Sequence, residues 1–145
     1  MQVQFKPVPP LNSTISADKL VLKIDPLAKP RMTRSDRWKK RPCVMRYRVY
    51  SNQLRNGALM QKYVPTNELV MLFQIKMPVS WSKKKKDKMR GQPMQSRPDI
   101  DNLQKSILDS LFPDEDSHIW KVCASKRWGD FGCVTVKNWD GVLIK

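Results

Sequence analysis

Apolar residues along the chain fall into four strand-like runs and two helical stripes. Leu20-Val21-Leu22-Lys23-Ile24 predicts a short strand. Asp25-Pro26 closes it, because the residue before a proline is pushed out of helical space. Val44, Tyr47, Tyr50 and Leu54 recur at helical spacing and predict a helix over residues 43–56, with Asn56-Gly57 as its C-terminal stop. Arg46, Arg48 and Arg55 fall on its polar side. The strongest strand is residues 69–77. It is continuously apolar at first, as for a strand buried on both faces, and then alternates Phe73, Ile75 and Met77 against Gln74 and Lys76. Ile100, Leu103, Ile107, Leu108 and Leu111 form the second helical stripe.

Residues 119–126 and 132–138 both have strand character, and Trp128-Gly129-Asp130 between them predicts a β-hairpin. Trp120, Val122 and Ala124 would share one face of it, and Val134 and Val136 another, with Trp120, Trp128 and Trp139 packed. The order of elements gives a small single-domain α+β fold with a mixed or antiparallel sheet and packed helices. Residues 1–19, rich in proline, read as an extended N-terminal arm, and 20–145 as the folded domain.

Composition narrows the partners. The chain has 145 residues, of which 40% are hydrophobic, enough for one genuine core. Its 28 Lys and Arg against 13 Asp and Glu leave a net charge of +15. That excess repels itself unless a polyanion neutralises it, and nucleic acid rewards clustered cations through counterion release. No apolar run approaches the ~20 residues of a membrane span, and the first ten residues lack the order of a signal peptide. A cytoplasmic protein without membrane contact is expected. Cys43, Cys123 and Cys133 show no CxxC spacing, and one histidine is too few for an ordinary Cys/His zinc site. They are expected reduced and packed, with Cys123 and Cys133 on adjacent strands.

Two basic runs are the candidate DNA contacts. The first holds Lys29, Arg31, Arg34, Arg37, Lys39, Lys40 and Arg41, with Trp38 as a possible stacking platform. The second holds Lys83, Lys84, Lys85, Lys86, Lys88 and Arg90, and suits either a phosphate-tracking segment or a solvated surface helix.

Against this positive background, six of the thirteen acids fall between Asp99 and Asp116. In extended backbone, Asp99 and Asp101 would point to one face and Ile100 into the core. Asp101 or Asn102 also suits a helix N-cap. Asp101, Lys105 and Asp109 are spaced by four and line the helix face opposite the apolar stripe. Asp116 follows the helix, and the short link Phe112-Pro113-Asp114-Glu115 would have to turn the chain back toward the pair. Three carboxylates in a basic surround suit Mg²⁺ or Mn²⁺ in phosphodiester hydrolysis, with Lys105 near the developing charge. The same residues also suit a structural role: a capped helix, an ion-paired lysine and a turn.

The segments Met77-Pro78-Val79-Ser80-Trp81-Ser82-Lys83-Lys84-Lys85-Lys86, Arg97-Pro98-Asp99-Ile100-Asp101-Asn102-Leu103-Gln104-Lys105, Leu108-Asp109-Ser110-Leu111 and Glu115-Asp116-Ser117-His118-Ile119 resemble the RusA family of Holliday junction resolvases, phage and prophage members in particular. The resemblance runs from about residue 20 to about 137. It implies a homodimeric, magnesium-dependent endonuclease that nicks symmetric strands of four-way DNA junctions in recombination and repair, in a bacterial or phage-infected cell, without a small-molecule cofactor. It implies Asp99, Asp101 and Asp116 as metal ligands, with Asp114 or Glu115 as alternatives for the third. Lys105 is implied as the catalytic lysine, and Asp109 reads as its partner. The other readings are a less selective nuclease on flaps and forks, and a non-catalytic basic DNA-binding protein.

Overall fold

The computed structural model describes residues 17–141. The predicted arm therefore lies almost wholly outside the described residues. Of residues 17–19, Ala17 forms an isolated bridge to Tyr63 and Lys19 begins the first strand.

The elements run β1 (Lys19–Leu22), a turn of 3-10 helix (Arg34–Arg37), α1 (Pro42–Met60), β2 (Glu68–Lys76), α2 (Lys83–Met89), α3 (Ile100–Leu111), β3 (Lys121–Gly129) and β4 (Cys133–Asn138). The four strands form one mixed sheet in the order β1-β4-β2-β3. β2 pairs parallel with β3 and antiparallel with β4, which pairs antiparallel with β1.

This order corrects the predicted hairpin. β3 and β4 are not neighbours, because β2 lies between them. The apolar run of β2 explains the choice. Leu69, Met71 and Phe73 are fully buried at the centre of the core, and pairing on both sides satisfies the backbone of β2 there, whereas a β3–β4 hairpin would leave one of its edges bare. Trp128 and Gly129 are not turn residues but the last pairs of β3, opposite Ile75 and Lys76. The connection after them crosses the end of β2, and Gly132 allows it: a Cβ there would lie 2.6 Å from the Asp25 Cα. Cys123 and Cys133 consequently sit two strands apart, and all three cysteines are free and half-buried. Val134 and Val136 are buried as expected, but Trp120 is 69% exposed and outside the core.

α1 is longer than its sequence signals suggest. It runs through Gly57, where the missing side chain lets the helix approach β1: a Cβ would meet the Leu22 side chain at 2.6 Å. The helix ends instead at Gln61. Lys62 takes a left-handed φ of 57°, and the Lys62 and Tyr63 amides donate to the Leu59 and Ala58 carbonyls, which closes the last turn. Tyr47, Tyr50, Leu54 and Ala58 of α1 pack with Leu103, Ile107 and Leu111 of α3 over Leu20, Leu69, Met71, Phe73, Val134 and Val136 of the sheet. α1 and α3 thus cover one face of the sheet, and that packing fixes where the start of α3 sits.

Candidate active site

The apolar stripe of α3 anchors the acidic segment. Leu103, Ile107 and Leu111 are buried, with Ser106 and Ser110 between them donating to the Leu103 and Ser106 carbonyls. This leaves the face carrying Asp101, Lys105 and Asp109 outward. The helix starts earlier than the extended reading of Asp99 and Asp101 assumed. Asp99 is the N-cap, with extended φ and ψ of −69° and 141°, and Ile100 and Asp101 already belong to the first turn. Ile100 is 36% exposed rather than buried.

Asp99 makes no side-chain cap hydrogen bond, so its carboxylate is not spent on the helix. Asp99 and Asp101 are both exposed. Other acids of the chain are held by cations: Asp36 by Arg41, Asp87 and Asp130 by Arg90, Asp109 by Lys29. No described residue pairs with the carboxylates of Asp99 or Asp101. Carboxylates at a helix N-terminus are eased by the positive end of the helix dipole, worth roughly 0.3–1 kcal/mol each. Two exposed carboxylates are a sufficient protein contribution for Mg²⁺, which keeps several waters and takes substrate phosphate oxygens as further ligands. The donor chemistry of this pair suits a hard divalent ion.

The segment leading into this pair is fixed by a residue that the sequence did not single out. Lys126 of β3 donates from Nζ to the carbonyl oxygens of Ser96 (2.5 Å) and Pro98 (2.8 Å). The free edge of β3 is capped just beside it, by the Pro93–Arg127 bridge and the Met94 amide donating to the Lys126 carbonyl. The signal was a lysine in register with buried Phe73, where the alternation of Val122 and Ala124 calls for an apolar side chain.

Asp116 is not brought to the pair. α3 is 12 residues long, about 18 Å, and Asp116 follows its far end. His118 packs edge-on against Phe112 at 5.0 Å, and the Trp120 amide donates to Asn67, just before β2. The chain does turn back along α3, as the short link after Leu111 suggested. The returning strand, however, begins at Lys121, past Asp116, and the residue that reaches the backbone just before the pair is Lys126. Among the described residues no three acids, cysteines or histidines stand close enough to hold one metal ion.

Lys105 is exposed and stands 3.5 Å from Asp109 Oδ2. Lys29 reaches the same oxygen at 2.6 Å, so this member of the first basic run faces inward. Lys29, Arg48, Asn52, Arg55 and Asp109 border a cleft of about 500 Å³. A larger hollow of about 890 Å³, walled by Ile24, Val49, Tyr50 and Phe131, contains none of the predicted catalytic residues.

The first basic run is folded around buried Asp36. This carboxylate accepts from Arg41 Nε and Nη2 and from the Thr33 amide, and the Arg41 guanidinium holds it well below the ordinary carboxylate range. Arg48 adds a bond to the Asp36 carbonyl. Arg41 is thus engaged internally, while Arg31, Arg34, Arg37, Lys39, Lys40 and Trp38 are exposed on the outside. In the second run, α2 is a surface helix with no buried residue, capped by Ser82, whose hydroxyl accepts from the Lys85 amide. Lys85 lies 4.3 Å above the Trp81 ring, which itself packs on Trp128. Arg90 is tied to Asp130 and Asp87. Lys83, Lys84 and Lys88 are exposed, and Lys86 is half-buried.

Residues 23–137 match the family model described as Endodeoxyribonuclease RusA. The chain belongs to the RusA family. Membership carries endodeoxyribonuclease chemistry of the Holliday junction resolvase type, and RusA resolvases are generally dependent on a divalent metal. Comparison with curated proteins and with solved structures gives no match. The RusA match begins just after β1 and spans β2, β3, all three α-helices and β4 up to Lys137. No helix among the described residues is long and apolar enough to cross a membrane.

Proposed function

We propose that this RusA chain is a Mg²⁺-dependent, cytoplasmic endonuclease that cuts four-way DNA junctions as a homodimer. The observation that carries the reading is the pair of exposed, unpartnered carboxylates of Asp99 and Asp101 in a chain of charge +15. A structural acid in such a chain is expected to take one of the many lysines or arginines, as Asp36, Asp109 and Asp130 do. Two acids left unpaired in one short segment of so basic a chain keep both carboxylates available to a cation from solution.

Asp99 and Asp101 would hold the ion, which when bound supplies Lewis acidity at the phosphodiester and a water of lowered pKa. Lys105, one turn on from Asp101, is placed to offer its ammonium to the charge that builds on the phosphate. Arg31, Arg34, Arg37, Lys39 and Lys40 outside the Asp36 hub, and Lys83, Lys84, Lys86 and Lys88 on α2, would hold the phosphates of the arms. Trp38, 69% exposed, would stack on an unpaired base at the branch.

Asp116 enters this reading through a second copy. Within one chain Asp116 follows the far end of α3 from Asp101, and a two-fold axis can bring the far end of one α3 beside the start of the other. A dimer of this kind has two composite sites related by the same symmetry as a four-way junction, which suits paired nicks on opposing strands.

The test compares cleavage of a four-way junction, a flap and a linear duplex in Mg²⁺ by the parent and by Asp101→Asn. The reading predicts preferential nicking of the junction by the parent. It predicts loss of nicking in the variant with junction binding kept or tightened, since one negative charge facing phosphate is gone. Parental cutting by Asp101→Asn would refute the site. Equal cutting of flap and junction would favour a less selective branch nuclease.

A further inference from the structure

We infer that Lys29 is a positioning residue for Lys105, acting through Asp109; this rests on the nuclease reading above. Two ammonium groups share one carboxylate oxygen. Lys29 Nζ stands 2.6 Å from Asp109 Oδ2, and Lys105 Nζ stands 3.5 Å from the same atom. The side chains of Lys29 and Asp109 are 24% and 22% exposed, and that of Lys105 is 62% exposed. The short contact is a charge-assisted hydrogen bond in a partly shielded place, and the long one is a loose pair in water.

A single carboxylate cannot neutralise two cations. Lys29 takes most of the Asp109 charge, so Lys105 is oriented along the outer face of α3 but keeps its charge for an incoming phosphate. Lys29 is itself fixed on several sides. Its amide donates to the Asn102 carbonyl at 3.4 Å, in the first turn of α3, and its ammonium stands 5.7 Å from the centre of the buried Tyr47 ring. The link ties the basic run to α3 between the Asp99–Asp101 pair and Asp109. Without Lys29, Lys105 is the ion-pair partner that Asp109 retains. The i,i+4 geometry would then draw the Lys105 ammonium toward the C-terminal end of α3, away from Asp101.

The experiment measures single-turnover nicking of a four-way junction at saturating protein for Lys29→Met, Lys29→Arg and Lys29→Met/Asp109→Asn, and for Lys29→Met in a Lys105→Ala background. A companion measurement follows acetylation of Lys105 by acetic N-hydroxysuccinimide ester, read by mass spectrometry, which needs no nuclease activity. We expect Lys29→Met to slow nicking by about ten- to a hundredfold, the scale for a displaced reacting group. Lys29→Arg and the added Asp109→Asn each restore much of that loss, and Lys29→Met changes nothing further once Lys105 is gone. Acetylation of Lys105 slows in Lys29→Met and recovers with Asp109→Asn.

Three results would overturn the inference while leaving the nuclease reading intact. One is unchanged acetylation of Lys105. Another is an equal rate loss from Lys29→Met with and without Lys105. The third is a weaker, less salt-dependent junction affinity with the rate at saturation unchanged, which would make Lys29 a phosphate contact. If instead Lys105→Ala nicks at the parental rate, the role of Lys105 fails, and the inference falls with it.

Discussion

Lys126 reaches 2.8 Å to the Pro98 carbonyl oxygen and so joins β3 to the backbone one residue before Asp99. The acidic pair is thereby held between two supports, the buried stripe of α3 and a lysine from the sheet. Each support makes its own demand on the sequence.

Replacing Lys126 with Met removes two charge-assisted hydrogen bonds to backbone carbonyls and leaves the Ser96 and Pro98 oxygens to water. A loss of about 1–2 kcal/mol in urea denaturation is expected. Nicking should fall by more than stability alone explains, because the misplaced segment carries Asp99. Parental nicking by a folded Lys126→Met protein would show that the contact does not position the site.

The Asp36 hub sets a pH dependence. Its carboxyl is depressed below the ordinary range, first by the Arg41 side chain and then by the Thr33 amide. A depressed folded-state pKa gives stability that is present above the unfolded value of about 3.9 and is lost as pH falls toward the folded one. Asp36→Asn should therefore melt below the parent at pH 7, and the gap should close as both are titrated below about pH 4. A gap that stays constant down to pH 2.5 would mean that the hub acts by shape and not by charge.

The two basic runs should differ from what a count of charges gives. Replacing Lys83, Lys84 and Lys86 with Ala should reduce the slope of log affinity against log salt by about 2.7, three contacts at ~0.9 each. Arg90→Ala should change the slope by less than one contact, because its guanidinium is already bound to Asp130 and Asp87. An unchanged slope for the triple variant would reduce α2 to a solvated surface helix.

Much of this was readable in the residues, for definite reasons. α3 and α1 announce themselves by stripes at helical spacing, and β2 by a run too apolar for an edge. The outward face of Asp101, Lys105 and Asp109 follows from their spacing by four, whereas the extended backbone expected for Asp101 gives way to the first turn of α3. The pairing of β3 and β4 was not legible, because Trp128-Gly129-Asp130 suits a hairpin as well as a strand end followed by a crossing. That β2 lies between them is a matter of non-local pairing, which no short stretch of sequence displays. The stop at Asn56-Gly57 misled for a similar reason. Gly57 serves close packing on Leu22, and the left-handed residue that ends α1 is Lys62. Nor could charge clustering separate free cations from those already paired to an acid, such as Lys29 and Arg41.

The measurement that bears most directly on the proposed site is subunit mixing. Asp101→Asn and Asp116→Asn are each purified, each expected to be inactive on a four-way junction, then unfolded together and refolded. If Asp116 completes the Asp99–Asp101 pair of the other chain, a mixed dimer holds one site with all its carboxylates and one with both substitutions. Nicking should then return to about a quarter of the parental level, since half of randomly formed dimers are mixed and each has one of two sites intact. If the three carboxylates act within one chain, every site in the mixture carries a substitution, and the mixture stays as inactive as its parts.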